Sequence, residues 1–151
     1  MSWRARLGEL GIELPQTAAP LAAYVPAVRT GTLVYTSGQL PIADGKLARI
    51  GKVGADVSPE DAYALARTCA LNALAAVDAL VGLDAVTRVV KVVGFVASAA
   101  NFNGQPAVVN GASELLGQIF GEAGAHARSA VGVSELPLDA PVEVELILEV
   151  G

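Results

Sequence analysis

One cysteine, one histidine and one methionine stand among the 151 residues, and aromatic residues make up only 5%. A lone thiol, Cys69, cannot close an intrachain disulfide, so no disulfide framework holds this fold. With a single His and a single Cys, a metal site would draw most of its ligands from carboxylates, and their spacing gives no ligand pattern. The same scarcity leaves no Ser-His-Asp or Cys-His set, and no Gly-rich phosphate loop is present. Neither metal nor cofactor is expected. No run approaches the roughly 20 uninterrupted apolar residues that span a bilayer; the best candidate, Val86 to Ala100, is broken by Arg88 and Lys91. At the N-terminus Arg4 and Arg6 lead into Gly8 and Glu9, not into the apolar stretch of a secretory signal. A cytoplasmic protein without a membrane partner is the expectation. Ten cations face fifteen acidic residues, for a net charge of −5. The cations are scattered from Arg4 to Arg128 and form no basic patch, which disfavours nucleic acid as a partner.

The chain is rich in small and β-branched apolar residues. Hydrophobic residues make up 53% of it, and the mean hydropathy is +0.51. The length suits one domain. A protomer this apolar has more surface to hide than its own fold covers, which points to an oligomer.

Trp3, Leu7, Leu10 and Leu14 recur at near-helical spacing and predict a short amphipathic helix ending near Gly11, followed by a connecting turn over Pro15 to Pro20. Residues 1–19 thus precede the main domain, residues 20–151. Tyr24 to Arg29 and Thr32 to Gln39 read as strands joined by a hairpin at Thr30-Gly31. In the second, Leu33, Tyr35, Ser37 and Gln39 should face one way and Val34, Thr36 and Gly38 the other. Ala43-Asp44-Gly45-Lys46 reads as a turn, leading to a short strand through Leu47 to Ile50. Ser58, Pro59 and Asp61 form a helix start, and the apolar stripe from Ala62 to Leu80 runs until Gly82 stops it. Cys69 lies in that stripe as a core residue. Val86 to Ala97 is a strand apolar on both faces, Pro106 opens a second long helix closed by Gly121 and Gly124, and Arg128 to Val133 and Val142 to Val150 are the last strands. Two helical crossovers with hairpins at both ends predict an α/β (α+β) domain: a mixed sheet with both long helices on one face. The other face, rich in Val, Leu and Ile, would be bare in a monomer.

Polar groups interrupt this pattern in three places. Tyr35-Thr36-Ser37-Gly38-Gln39 puts hydroxyls and an amide at a strand end. His126-Ala127-Arg128-Ser129 opens an apolar strand with a cation. Glu143, Glu145, Ile147 and Glu149 share one face of the last strand, opposite Val144, Leu146, Leu148 and Val150. On pattern alone the glutamates are a solvated face, Arg128 an ion-pair partner and His126 a loop residue.

The same segments resemble the RidA/YjgF family of small trimeric proteins. The likeness rests on Tyr24-Val25, Tyr35 to Pro41, Asn72, Val109-Asn110, and the array Ala127-Arg128-Ser129-Ala130-Val131, Leu136-Pro137, Val142-Glu143-Val144-Glu145, and it covers roughly residues 20 to 150. It implies a chorismate-mutase-like fold, a homotrimer with clefts between subunits, and hydrolysis of 2-imino acids and their enamine tautomers to 2-oxo acids and ammonia. By that resemblance Arg128 holds the substrate carboxylate, Glu143 activates the attacking water, and Tyr24, Ser37, Gly38, Asn110 and the backbone of Ala130 shape the cleft. Planar guanidinium geometry suits a carboxylate better than lysine would. Imine hydrolysis needs positioning and a proton acceptor, which an Arg and a Glu supply without metal or covalent nucleophile. The chain departs from the family in Ala22-Ala23, where Gly-Pro is usual, in Ala130, in His126, in Gly132 and in the N-terminal helix, which reads as an addition. The competing expectation is a trimer that binds a small carboxylate or metabolite through Arg128 without turnover; a ribonuclease activity fits the acidic charge poorly.

The bare sheet face predicts a trimer in solution, three times the 15.3 kDa protomer mass. Light scattering at micromolar concentration checks this, and a species of protomer mass there would contradict it.

Overall fold

The computed structural model describes residues 2–17 and 23–151. Part of the expected connector and the boundary near residue 19 lie outside those residues, as does Ala22.

The elements follow the order α1 (Trp3–Leu10), β1 (Ala27–Thr30), β2 (Leu33–Thr36), β3 (Ile42–Ala43), β4 (Lys46–Leu47), α2 (Pro59–Val81), β5 (Val86–Ala97), α3 (Gln105–Phe120), β6 (Ala127–Val133) and β7 (Val142–Val150). Five strands form one sheet in the order β1-β2-β7-β5-β6, antiparallel except for β5 and β6, which α3 connects as a parallel pair. α2 and α3 lie side by side on one face of it, as the sequence pattern implies.

Local chemistry accounts for the boundaries. Ser58 caps α2 by accepting from Asp61 N at 3.1 Å, with Pro59 in the first turn where a missing N–H costs nothing. Ser2 caps α1 through Ala5 N, and Gly11 closes it at φ 67°, a left-handed position. α1 is pinned to the body by the Trp3 indole N–H, which donates to Val86 O at 2.7 Å, and by an edge-to-face contact of Trp3 with Phe120. β1 starts at Ala27 and not at Tyr24, because Pro26 has no N–H to give a ladder. The strand expected over Leu47 to Ile50 is only Lys46–Leu47, folded back on Ile42–Ala43 through the positive-φ pair Asp44-Gly45 as a separate two-stranded sheet. α2 is long and apolar enough to cross a membrane by length and composition, but half of its most apolar window is buried within this fold.

The face of the sheet away from the helices is open, and it is less apolar than the sequence suggests. Val28, Tyr35 and Val131 are exposed on it, next to Val93, Phe95 and Ile147. Glu143, Glu145, Glu149 and Lys91 interrupt this apolar surface.

α3 sits unusually close to its neighbours. A Cβ at Gly111 would lie 2.0 Å from the carbonyl oxygen of Tyr63 on α2, and one at Gly94 would lie 2.4 Å from Val109. Backbone cannot yield as a flexible side chain can. Gly111→Ala should therefore cost on the order of 3 kcal/mol, the upper end of overpacking penalties. Gly117→Ala on the same helix meets nothing within 4 Å and should gain about 0.5–1 kcal/mol from helix propensity. Urea unfolding of the two variants tests the contrast, and equal stabilities would contradict it.

Candidate functional site

Arg128 points to the helix side of the sheet. Its partner across the parallel ladder is Val92, whose side chain is buried beneath the helices. There Nη1 donates to Asn110 Oδ1 at 2.7 Å and to Ser113 Oγ at 3.3 Å, and Nη2 donates to Pro106 O at 3.4 Å. Asn110 and Ser113 are three residues apart on α3 and so share a face. A guanidinium carries five N–H donors. Among the described residues these bonds leave Nε–H and one Nη2 hydrogen for a ligand, a fork suited to a carboxylate. Ala130 follows on the same side of β6, half-buried against the core.

Glu143 lies on the opposite, open face, where it pairs across the ladder with Phe95. It is half-buried. Burial, and then the like charge of Glu145, push its carboxyl above the ordinary glutamate range. A β-bulge brings Gly38 against it. Between the pairs Tyr35–Ile147 and Gln39–Val144, β2 spends four residues where β7 spends three, which inverts the expected alternation: Gln39 pairs opposite core-facing Val144, and Gly38 turns to the glutamate face. A Cβ at Gly38 would stand 2.8 Å from the Glu143 carboxyl carbon and from Oε2, so only glycine admits the carboxylate there. Ser37 secures the bulge by donating through Oγ to Val25 O at 2.6 Å and through its N–H to Pro26 O at 2.8 Å. Tyr24, next to Val25 in the chain, is half exposed beside it.

The predicted residues thus fall into two groups. Arg128, Asn110 and Ala130 are together, and Glu143, Gly38, Ser37 and Tyr24 are together. Within one protomer the groups do not meet: two strands and three residues of register put the α-carbons of Arg128 and Glu143 about 14 Å apart, with the side chains on opposite faces.

Two residues take other roles than their sequence context suggests. His126 is not a free loop residue; Nδ1 bonds Gly124 O at 2.6 Å and Nε2 bonds Ser113 Oγ at 2.8 Å. Asn72 is structural, donating through its amide to Leu40 O and Ile42 O at 2.9 and 3.0 Å. Ser113 had no motif to mark it; its helical spacing from Asn110 was the available signal. Cys69 is fully buried with its Sγ 3.7 Å from Val142 O, and burial pushes its thiol well up, as a core residue requires. Among the described residues no group of three His, Cys, Asp or Glu side chains could hold a metal.

The family model described as "YjgF/chorismate mutase-like, putative endoribonuclease" matches residues 4–150. The match begins inside α1, well before the span from residue 20 that the motifs carry. Protein TCP17 of Trypanosoma cruzi is 45% identical over 97% of this chain and 93% of its own length. A 2-iminobutanoate/2-iminopropanoate deaminase of Dermatophagoides farinae is 33% identical over 91% of this chain and 93% of its own. Among solved structures, a Shewanella oneidensis protein described as an endoribonuclease in the same qualified words has a TM-score of 0.94 at 35% identity, covering 99% of this chain and 100% of that one. Atu1372 of Agrobacterium tumefaciens, of unknown function, has a TM-score of 0.89 at 45% identity, covering 99% and 92%.

If the Arg128 fork holds a carboxylate, Arg128→Ala should weaken binding of a small 2-oxo acid by about 2–5 kcal/mol, the cost of stranding a buried charge. Arg128→Lys should recover part of this. Calorimetry on the folded variants measures it, and unchanged affinity in Arg128→Ala would remove the anchor.

Proposed function

Since the chain belongs to the YjgF/chorismate-mutase-like family, we propose that it is a homotrimeric imine deaminase acting on small 2-imino acids and their enamine tautomers. The observation that carries this reading is the split site: an arginine fork and a half-buried glutamate on opposite faces of one sheet are each incomplete alone. A cyclic assembly that seats the helix-side edge of one copy against the open face of the next would bring them together. The apolar residues exposed around Glu143 give that face a reason to be covered. The deaminase name of the Dermatophagoides relative supports the same chemistry.

In this scheme Nε–H and Nη2–H of Arg128 grip the substrate carboxylate and fix the plane of the C=N bond. The Glu143 carboxylate takes a proton from water as the oxygen attacks the imine carbon, and passes that proton to the nitrogen, where the C=N π electrons have become a lone pair. The tetrahedral carbinolamine then collapses to C=O: its hydroxyl proton passes by way of Glu143 to the amine, the C–N bond breaks, and ammonia leaves. Atoms balance as imine plus water to oxo acid plus ammonia. A raised pKa makes Glu143 a stronger base than an exposed glutamate. The three glutamates on the open face weigh against a polyphosphate chain as substrate, and so against ribonuclease chemistry.

Glu143→Gln keeps size and removes the base, so turnover should fall roughly 10²–10⁴-fold with carboxylate binding retained. The sign of the pH dependence follows from the shift: only the carboxylate is active, so kcat/KM should rise with pH through an ionisation above the ordinary glutamate range. Glu145→Gln removes a like charge and should move that limb to lower pH without lowering the plateau. Imines generated in situ by an amino-acid oxidase serve as substrates. Equal losses in both variants would mean general damage to the strand and would remove Glu143 as the base, and no hydrolysis by the native protein across a panel of side chains alongside carboxylate binding would leave a binding protein instead.

A further inference from the structure

Behind the Arg128 fork, four groups from three elements are joined in series. Gly124, in the turn that follows α3, offers a carbonyl that can only accept, so the 2.6 Å contact places the His126 proton on Nδ1. In the neutral imidazole Nε2 is then a lone pair, placed to accept the Ser113 hydroxyl at 2.8 Å. With its proton spent, Ser113 Oγ is left as an acceptor for Arg128 Nη1 at 3.3 Å. Asn110 Oδ1 takes the other Nη1 hydrogen at 2.7 Å. Every link has one polarity, set by the carbonyl at its far end. The turn itself is held hard against the helix: a Cβ at Gly124 would lie 2.4 Å from Leu116 O.

We propose that Ser113 and His126 are positioning residues for the Arg128 anchor: the Gly124–His126–Ser113 relay holds both Nη1 hydrogens toward α3, so that the guanidinium presents only its Nε–Nη2 edge to a ligand carboxylate. This rests on the anchor reading of Arg128 and extends it to side chains that touch no substrate. Pre-ordering the fork removes a rotational cost that binding would otherwise meet. The relay acts on carboxylate affinity, not on the water attack, so it should alter KM and leave kcat alone.

The test uses the full-length protein with pyruvate as the carboxylate probe. Ser113→Ala and His126→Phe should each raise the Kd for pyruvate, and the KM for imine, by about 3–10-fold, the worth of one hydrogen bond, with kcat unchanged. Because the links act in series, the double variant should be no worse than either single one. His126→Gln, which can offer an amide oxygen near the position of Nε2, should recover part of the loss. In the ligand-free protein, ¹⁵N spectra should show the Arg128 Nη groups in slow rotation, and Ser113→Ala should speed it. That last measurement needs neither turnover nor ligand. A protein without deaminase activity but with slow Nη rotation would overturn the proposed function and keep the relay. Native Nη groups averaging as freely as in free arginine, multiplicative losses in the double variant, or unchanged Kd in both single variants would each overturn the relay.

Discussion

The near-contact of α3 with α2 and with β5 governs where everything else in the molecule can lie. At Gly111 the α3 backbone approaches Tyr63 O so closely that no side chain fits between them, and at Gly94 the sheet surface is stripped to backbone beneath Val109. These two glycines do different jobs at one junction. One lets helix meet helix, the other lets helix meet strand, and between them they deny α3 any freedom to slide. Asn110 precedes Gly111 directly, and Ser113 is less than one turn beyond it. The acceptors that hold Arg128 therefore inherit their positions from van der Waals contact in the core, the stiffest reference a protein has.

Arg128 and Glu143 illustrate how one sheet keeps incompatible environments apart. The guanidinium is surrounded by acceptors on the helix side. The carboxylate has apolar neighbours and a second glutamate. For the isolated fold the consequence has a definite sign. A folded pKa above the unfolded one means the native state binds the proton more tightly, so stability falls as pH rises through that interval. Ionised Glu143 is thus a standing cost to a protomer alone.

Most of the architecture was legible in the chain, because the strongest signals are local. The cap at Ser58-Pro59, the stop at Gly82, and the apolar runs Val86 to Ala97 and Val142 to Val150 each mark an element where the structure has one. The family motifs singled out Arg128, Asn110, Glu143 and Gly38, which the structure gathers in two groups. What the sequence could not disclose depended on pairing. β1 and β2 are shorter than their apolar runs because hydrogen-bond partners, not side-chain preference, set their ends. The role of His126 was hidden for the same reason: its partners, Gly124 O and Ser113 Oγ, come from a turn carbonyl and a helix whose approach only the fold determines. A histidine before a strand looks alike whether free or engaged.

The bulges give the sheet a parity. Along β5 two extra residues, one between Val86 and Arg88 and one between Val89 and Lys91, bring Val86, Val89 and Val92 to the core at intervals of three, and an even number of insertions returns the strand to its original phase. β2 carries a single one, so its phase stays reversed from the bulge onward. A one-residue deletion between Thr36 and Gln39 would let β2 pair with β7 in unbroken register, but a single residue would then stand between the core-facing Thr36 and Gln39. Were Gly38 the residue lost, Ser37 would take that place, with a side chain where glycine now meets Glu143, and would give up the bonds by which it holds the bulge. The extra residue therefore separates two tasks that one position could not perform: Ser37 ties the bulge to the chain before β1, and Gly38 leaves room for the carboxylate.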